Sequence, residues 1–300
     1  MSSTMSVKQG PPYAPPSSAG LGLTPTVPVD VPVSAVLLTI YLCFAVWNIK
    51  TFFTNKKKGH KFLISWFLGV FSMMRVATCA LRIAWAVHPH NIRLIIAAQI
   101  FTNAGILIVY LININFGQRL LRSLHPGIGW HAALHWGPLA VYVTVGLTFI
   151  MVIVTIILKF YTLDDYTLLV CADCQKVATV VLFAASVLSL VMLAAIVLLP
   201  RSRSGEQPFG TGSVQAKIVI LAVSASLATL IAGFKCGVNF MPPRPVNDAP
   251  WYDLKPTYYC LLFVTEIMIL ALFAVTRIDE RFYVPNGSSK VKSYASKIEG

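Results

Sequence analysis

Three charged residues lie within long apolar stretches of the sequence, where their types suit an ion pair or an anion-binding site. Arg75 and Arg82 lie within Phe62–Val87, and Glu266 lies within Pro256–Thr276. A charge at the centre of a bilayer costs roughly 2.5–3.5 kcal/mol on insertion scales, so such residues are usually paired or functional. Arg75 and Glu266 have the same expected depth near mid-membrane, and we predict an ion pair between them.

Two further cations have no acid within the apolar stretches to balance them. Arg82 lies two helical turns from Arg75 on the same face, near the predicted outer boundary. Lys235 and Asn239 are one turn apart and level with Arg82 in another stretch. These cations would either snorkel to the headgroups or meet an acid, which is an outer-loop carboxylate, a lipid phosphate or the acidic head of a ligand.

A polar stripe on the third apolar stretch is expected to face the same interior. Its members recur at helical spacing, and Asn103 has the expected depth of Arg75 and Glu266. We therefore predict a polar layer of Arg75, Asn103 and Glu266 below an outer cationic pocket that contains Arg82 and Lys235. The stripe consists of Gln99, Asn103, Tyr110 and Asn113.

Helices that cross a bilayer must position these residues, because 56% of the 300 residues are apolar and only 12% are charged. Each stretch has roughly the 20 residues that a spanning helix needs. The stretches lack the two-residue alternation of a barrel strand. The predicted fold class is all-α, a polytopic membrane protein with a seven-helix bundle. The predicted spans are Val31–Ile49, Phe62–Val87, Ile92–Phe116, Pro138–Phe160, Lys176–Leu199, Ile218–Met241 and Pro256–Thr276.

Basic residues predict the orientation of the bundle. The segments on one side hold fifteen Lys and Arg residues and those on the other side hold six. The positive-inside rule then places the amino terminus outside and the carboxyl terminus in the cytoplasm. The net charge of +13 is read as this topology signal, and no nucleic-acid partner is expected.

The two ends of the chain differ from the bundle in composition. Residues 1–30 are rich in Pro, Ser and Gly and contain no apolar run, which predicts a disordered extracellular tail. Residues 31–276 form the predicted transmembrane domain. Residues 277–300 form a cytoplasmic tail that begins with charged and aromatic residues, and a short helix along the inner surface is expected there.

Cysteines and histidines were weighed as reactive groups. Cys171 and Cys174 are placed in a polar outer loop, where a local disulfide or two free thiols are the alternatives. His131 and His135 have a spacing that occurs in metal sites, but no carboxylate is near them in sequence, so no metal is expected. We find no catalytic signature and predict no enzyme activity and no cofactor.

Three passages resemble a fungal family of seven-span membrane proteins without an assigned function, which is sometimes labelled as family-C-like G-protein-coupled receptors. The passages are Leu81–Ala86, Phe101–Gly105 and Arg277–Gly287. A more distant resemblance is to the fungal lipid-translocating exporters, whose sixth span carries Phe-Arg followed by an acid. Here Phe234-Lys235 is followed by Cys236, Gly237 and Val238, so the arginine is replaced and the acid is absent.

These patterns lead to one functional hypothesis and two alternatives. We predict a receptor-like sensor of an amphipathic or anionic ligand, with membrane lipids and a cytoplasmic signalling partner as its other contacts. The alternatives are a lipid translocase and a scaffold without a ligand. The plasma membrane is the expected location, in preference to internal membranes.

Overall fold

The computed structural model describes residues 10–13, 19–199 and 209–285. Within these residues, seven continuous helical stretches are long and apolar enough to cross a membrane. The predicted all-α class with seven spans is confirmed, and the chain is an integral multi-pass membrane protein. Single helices form five spans; two consecutive helices form the third span, and an α-helix, a π-helix and a further α-helix form the seventh. The helices are α1 Val27–Lys57, α2 Leu63–Val87, α3 Ile92–Ala104, α4 Leu107–Leu124, α5 Pro126–Gly129, α6 Ala132–Tyr161, α7 Asp165–Leu198, α8 Val214–Phe240, α9 Lys255–Tyr258, the π-helix Tyr259–Val264, α10 Thr265–Val275 and α11 Ile278–Arg281.

The first span begins four residues before its predicted start. Pro28 lies in the first turn of α1, and the Thr26 amide donates to Asp30 Oδ2 at 2.8 Å, so Asp30 fixes the start of the helix. Asp30 therefore belongs to the bundle and not to the predicted tail. Residues 19–26 also pack on the outer end, where Gly22 lies against the ring of Tyr258. Residues 1–9 and 14–18 of the predicted tail, and residues 286–300 of the other tail, lie outside the described residues.

The fifth span begins eleven residues before its predicted start, which corrects the placement of Cys171 and Cys174 in a loop. The Asp164 carboxylate accepts bonds from the backbone and hydroxyl of Thr167 and begins α7 at Asp165. The same bonds hold the pKa of the Asp164 carboxyl below its ordinary value. Cys171 and Cys174 lie within α7 and are both free thiols, so the alternative of a disulfide is not formed.

The third span is divided at Gly105 and Ile106, and its two halves have different neighbours. The outer half, α3, packs mainly on α2 and α6, whereas the inner half, α4, packs on α7 and α8 as well as on α2 and α6. We call the end that carries residues 19–26 the outer end, following the predicted orientation. The shift of α3 away from the fifth and sixth spans leaves space in the outer half of the bundle.

The start of the predicted cytoplasmic tail folds back into the inner end of the bundle. Its short helix, α11, agrees with the expectation, but Ile278 and Phe282 are buried instead of lying along the membrane surface. The Phe282 ring stacks on Phe116 with centroids 4.1 Å apart, and Arg119 Nη1 donates to the Phe282 carbonyl oxygen at 2.5 Å. Tertiary packing therefore holds this segment, which is too short to be stable as an isolated helix.

The loop before the sixth span also contacts α11 at the inner end, through Gly210 and the backbone of Arg281. We expect Gly210→Ala to weaken this contact between Gly210 and Arg281. Gly210 has a φ of +56°, and a Cβ there would lie 2.2 Å from the carbonyl oxygen of Arg281. The steric and backbone strain should lower the free energy of unfolding by about 1–3 kcal/mol, read from the thermal midpoint of the purified protein. Gly146→Ala is the control, because its Cβ would meet nothing within 4 Å. Equal midpoints for the two variants would contradict the expectation.

Candidate functional site

A cavity of about 890 Å³ occupies the outer half of the bundle, in the space that α3 leaves open. Its volume lies within the roughly 300–1,000 Å³ of small-molecule sites. The third to sixth spans supply most of the walls, and residues 19–24 and parts of the segment 240–253 line its outer end. The polar lining includes Gln99, Asn103, Gln175, Thr179, Lys235 and Asn239.

Three of the residues predicted for the ligand site meet in this cavity. Lys235 Nζ lies 3.3 Å from Asn103 Oδ1 and 3.4 Å from the carbonyl oxygen of Thr102. Asn239, one turn further along α8, donates to the Thr179 hydroxyl at 3.4 Å. In the part of the chain that the structure describes, no carboxylate lies within 4 Å of Lys235. The ammonium group therefore has neutral oxygens as its direct partners.

Arg82 also lines the cavity, but its guanidinium group is already paired. Its Nη2 lies 2.9 Å from Asp30 Oδ1, and its Nε donates to the same oxygen at 3.1 Å. The Nη2 also donates to the Gly22 carbonyl oxygen at 2.6 Å. The sequence suggested an outer-loop carboxylate, a lipid phosphate or a ligand as the partner of Arg82. The structure shows a carboxylate, but it is that of Asp30 in the first helix and not one from an outer loop. Arg82 therefore lies in the lining of the cavity, but as the partner of Asp30 and not as a cation that a ligand must balance.

Asp30 joins four elements at the outer end, and sequence reasoning missed it. It is fully buried; in addition to Arg82 it accepts from Tyr259 Oη at 2.7 Å and lies 2.6 Å from Lys255 Nζ. Two cations on the second and seventh spans thus share one carboxylate. Thr26 before Pro28, with an acid two residues later, is a helix-start signal that would have placed Asp30 in the membrane domain.

Arg75 and Glu266 form the predicted ion pair, below the cavity and not in its lining. Arg75 Nε donates to Glu266 Oε2 at 2.6 Å, and Arg75 Nη2 donates to Oε1 of the same carboxylate, so the pair is bidentate. Both residues are about 1% exposed. Arg75 packs closely on Gly105, where a Cβ would lie 3.0 Å from the guanidinium carbon. The absence of a side chain at Gly105, where the third span is divided, thus leaves space for the Arg75 guanidinium group.

Two further groups complete this layer. The Tyr41 hydroxyl lies 3.1 Å from Glu266 Oε2 and 3.0 Å from the Phe263 carbonyl oxygen, and it can donate to either. Phe263 is in the π-helix that directly precedes α10. A π-helix within an α-helical span often marks a functional position.

One carbonyl oxygen connects the ion pair with the cavity. Arg75 Nη1 donates to Thr102 O at 3.0 Å, and Lys235 Nζ approaches the same oxygen at 3.4 Å. Asn103, predicted as part of the polar layer, lies in the cavity and contacts Lys235 instead of Arg75 or Glu266. A movement of the Lys235 side chain can therefore alter the hydrogen bonding of Arg75 through the Thr102 carbonyl group that both contact.

A second lysine of the cavity was also missed by sequence reasoning. Lys159 is one of the six basic residues that the sequence assigns to the outer segments, but it lies in the last turn of α6 and its Nζ donates to Gln175 Oε1 at 2.5 Å. Both residues line the cavity. Its position near a helix end predicts snorkelling, and the direction of the side chain depends on the rotation of the helix, which composition does not give.

The remaining predicted groups do not form a metal site in the described ranges. His131 begins α6, and its ring Nδ1 accepts from the Ala133 amide at 3.3 Å. His135 packs on the neighbouring Trp136 ring. No group of three His, Cys, Asp or Glu residues suited to a metal occurs among the residues described.

Comparison with known proteins finds a family model that matches part of the chain. The model of a family described as a protein of unknown function (DUF3112) matches residues 210–283, from the loop before the sixth span to the segment after α11. No curated protein and no solved structure matches the chain. The matched stretch contains Lys235, Asn239, Lys255 and Glu266, and also both partners of the Gly210 contact at the inner end. Over this stretch the chain is similar to an uncharacterised family, and no activity comes with the match.

Proposed function

We propose that the protein is a receptor-like sensor that binds an amphipathic anion in its outer cavity and carries out no catalysis. The observation that carries the proposal is Lys235, an ammonium group in the cavity that has no carboxylate within 4 Å among the described residues. Lys235 is half-buried at the wall of the cavity, and an anion placed beside it would meet a positive charge in surroundings of reduced polarity, so the site favours a ligand that brings an anion to it.

The walls of the cavity support the amphipathic character of the ligand. Apolar side chains from the third and fourth spans, among them Ile95, Phe149 and Ile156, face the same space as the polar side chains around Lys235. Small-molecule sites typically combine a mainly apolar lining with a few polar groups that fix the orientation. An acidic head would contact Lys235 and Asn103 while an apolar body would cover the remaining wall.

The contact between Lys235 and Thr102 supports a route for the signal. A ligand anion that draws Lys235 away from Thr102 O would leave that carbonyl oxygen to Arg75 alone, which changes the hydrogen bonds of the ion pair with Glu266. Glu266 follows the π-helix of the seventh span, whose inner end leads to α11. Binding would be sensed only if the ligand interacts differently with two arrangements of this layer.

Binding is tested with matched alkyl probes on the protein in phosphatidylcholine nanodiscs. Decanesulfonate, a permanent anion, should raise the thermal midpoint in a saturable way, whereas decanol should not. Lys235→Met should raise the dissociation constant of decanesulfonate at least tenfold, because it removes the charged partner. Lys176→Met is the matched control, since Lys176 also lines the cavity but is exposed and pairs with Asp173 at 3.0 Å. Saturable binding that survives Lys235→Met unchanged would reject the site.

A lipid translocase is the second candidate, because a headgroup phosphate would suit the same lysine. The two functions separate in reconstituted vesicles that contain a fluorescent anionic lipid in one leaflet. A sensor leaves the rate of lipid transfer at that of protein-free vesicles, whereas a translocase raises it and loses the increase in Lys235→Met. A scaffold without a ligand would show neither lipid transfer nor saturable decanesulfonate binding.

A further inference from the structure

We propose that the cavity contains two separate anion-binding points, Lys235 between the third and sixth spans and Lys159 between the fourth and fifth, so that its preferred ligand is an amphipathic dianion. This inference rests on the proposed function, because it names the class of ligand for the same cavity. It follows from the direction of Lys159, from the charges of the lining residues and from the way the two lysines are held.

The Lys159 side chain points into the bundle and not toward the headgroups. A lysine in the last turn of a spanning helix ordinarily snorkels to the membrane surface. Here its Nζ donates to Gln175 Oε1 at 2.5 Å, and Gln175 Nε2 donates to the Thr155 hydroxyl at 3.4 Å. Because Gln175 uses both ends of its amide in these contacts, the Lys159 ammonium group is held at the wall of the cavity.

The charges of the lining residues divide into balanced and unbalanced cations. Arg82 pairs with Asp30, which it shares with Lys255, and Lys176 pairs with Asp173, so each of these two lining cations has a carboxylate in contact. Lys159 and Lys235 contact neutral oxygens, and within the described residues no carboxylate lies within 4 Å of either. A ligand with one negative charge would therefore leave one ammonium group of the cavity without a counterion.

The acid in the lining does not supply the missing charge. Asp253 lies in the segment after the sixth span, and its carboxylate is in no ion pair in the described part of the chain. Its carboxylate therefore lies more than 4 Å from both the Lys159 and the Lys235 ammonium groups. Two positive charges without a direct carboxylate partner thus remain for the ligand to contact.

Different helices hold the two lysines, and polar side chains connect them. Lys235 contacts the third span and Lys159 contacts the fifth. Between them Asn239 donates to Thr179, whose hydroxyl lies 3.2 Å from the Gln175 carbonyl oxygen. Because the two ammonium groups contact different helices, and the contacts of Asn239, Thr179 and Gln175 lie between them, we expect a compact anion to engage one of them at a time. An acidic group at each end of an apolar body matches both points.

The test compares decanesulfonate with decane-1,10-disulfonate and with shorter and longer disulfonates, all as titrations of the nanodisc-bound protein. One disulfonate of the series should bind the natural protein at least tenfold more tightly than decanesulfonate, and Lys159→Met should remove this advantage while changing decanesulfonate binding less than twofold. Lys159→Gln serves as the second variant, because it keeps a hydrogen-bond donor for Gln175 and removes only the charge. Lys176→Met should keep the disulfonate preference.

The outcomes distinguish this inference from the proposed function. If decanesulfonate binds through Lys235 but no disulfonate binds more tightly, the second point is overturned and the sensor proposal stands. If Lys159→Met and Lys159→Gln weaken both probes equally, Lys159 is not a separate point, and the inference fails as well. If no probe binds at a site that depends on Lys235, the proposed function itself is rejected.

Discussion

Glu266→Gln is expected to lower the free energy of unfolding by about 3–5 kcal/mol, because it leaves the Arg75 guanidinium as a buried charge without a counterion. The pair is bidentate and about 1% exposed, and the described residues place no other carboxylate within 4 Å of Arg75. The effect should appear as a lower thermal midpoint and a smaller monodisperse fraction after purification. Arg75→Leu should have an effect of similar size, because it leaves the Glu266 carboxylate unpaired.

A double substitution separates the charge from the packing. In Arg75→Met with Glu266→Met neither charge remains, and replacing a buried ion pair with apolar residues is often neutral or stabilising. The Tyr41 hydroxyl keeps the Phe263 carbonyl oxygen as an acceptor at 3.0 Å, so no new unpaired group is created there. The double variant should therefore be more stable than either single variant.

An exposed ion pair serves as the reference for the loss of stability that Glu266→Gln causes. Asp173→Asn breaks the contact with Lys176, in which the side chains are 72% and 41% exposed, and should cost less than about 1 kcal/mol. If Glu266→Gln cost no more than Asp173→Asn, the ion pair would not stabilise the bundle. The double variant should also lose any response to ligand if the layer transmits the signal, even though it folds.

Spacing and depth were sufficient to predict the contact between Arg75 and Glu266. A residue's position within an apolar stretch gives its depth, and the cost of an unpaired charge limits its partners to residues at that depth. The break at Gly105 was not predicted as a break, because a glycine within an apolar run also occurs where helices approach closely. The hydrogen bonds of Arg75 to the last turn of α3 required the coordinates.

Pairing at the outer boundary was predicted less well. Asp30 was assigned to the tail because Pro, Ser and Gly dominate the residues before it, although the helix already begins at Val27. Lys159 was assigned to the outer segments because it is close to a helix end. For Asp30 the predicted start of the span was wrong, whereas for Lys159 the depth was predicted and only the rotation of the helix decides that the side chain faces the interior. Among the described lining residues, Lys159 and Lys235 consequently have no carboxylate within 4 Å, whereas Arg82 pairs with Asp30.

Asp30→Asn is expected to have the second large effect, because two cations depend on one carboxylate. Arg82 is about 5% exposed and would keep the Gly22 carbonyl oxygen, the Tyr259 hydroxyl and the face of the Tyr258 ring, but no carboxylate among the described residues, so we expect a loss of about 3 kcal/mol or more. Lys255 is about 17% exposed, and its ammonium group can move toward the headgroups at little cost. The thermal midpoint of the nanodisc-bound protein measures the loss.

The matched control for Asp30→Asn is its combination with Arg82→Met. The second substitution removes the unpaired Arg82 charge and should restore most of the thermal midpoint that Asp30→Asn loses. The combination also removes the bond from Arg82 to Gly22, so residues 19–24 should cover the cavity less tightly even when stability returns. Decanesulfonate should then associate faster with the double variant than with the natural protein, at a similar midpoint. An unchanged association rate would mean that residues 19–24 do not limit entry of the ligand into the cavity. A thermal midpoint that stays low in the double variant would mean that the Asp30 carboxylate stabilises the outer end through Lys255 and Tyr259 and not through Arg82.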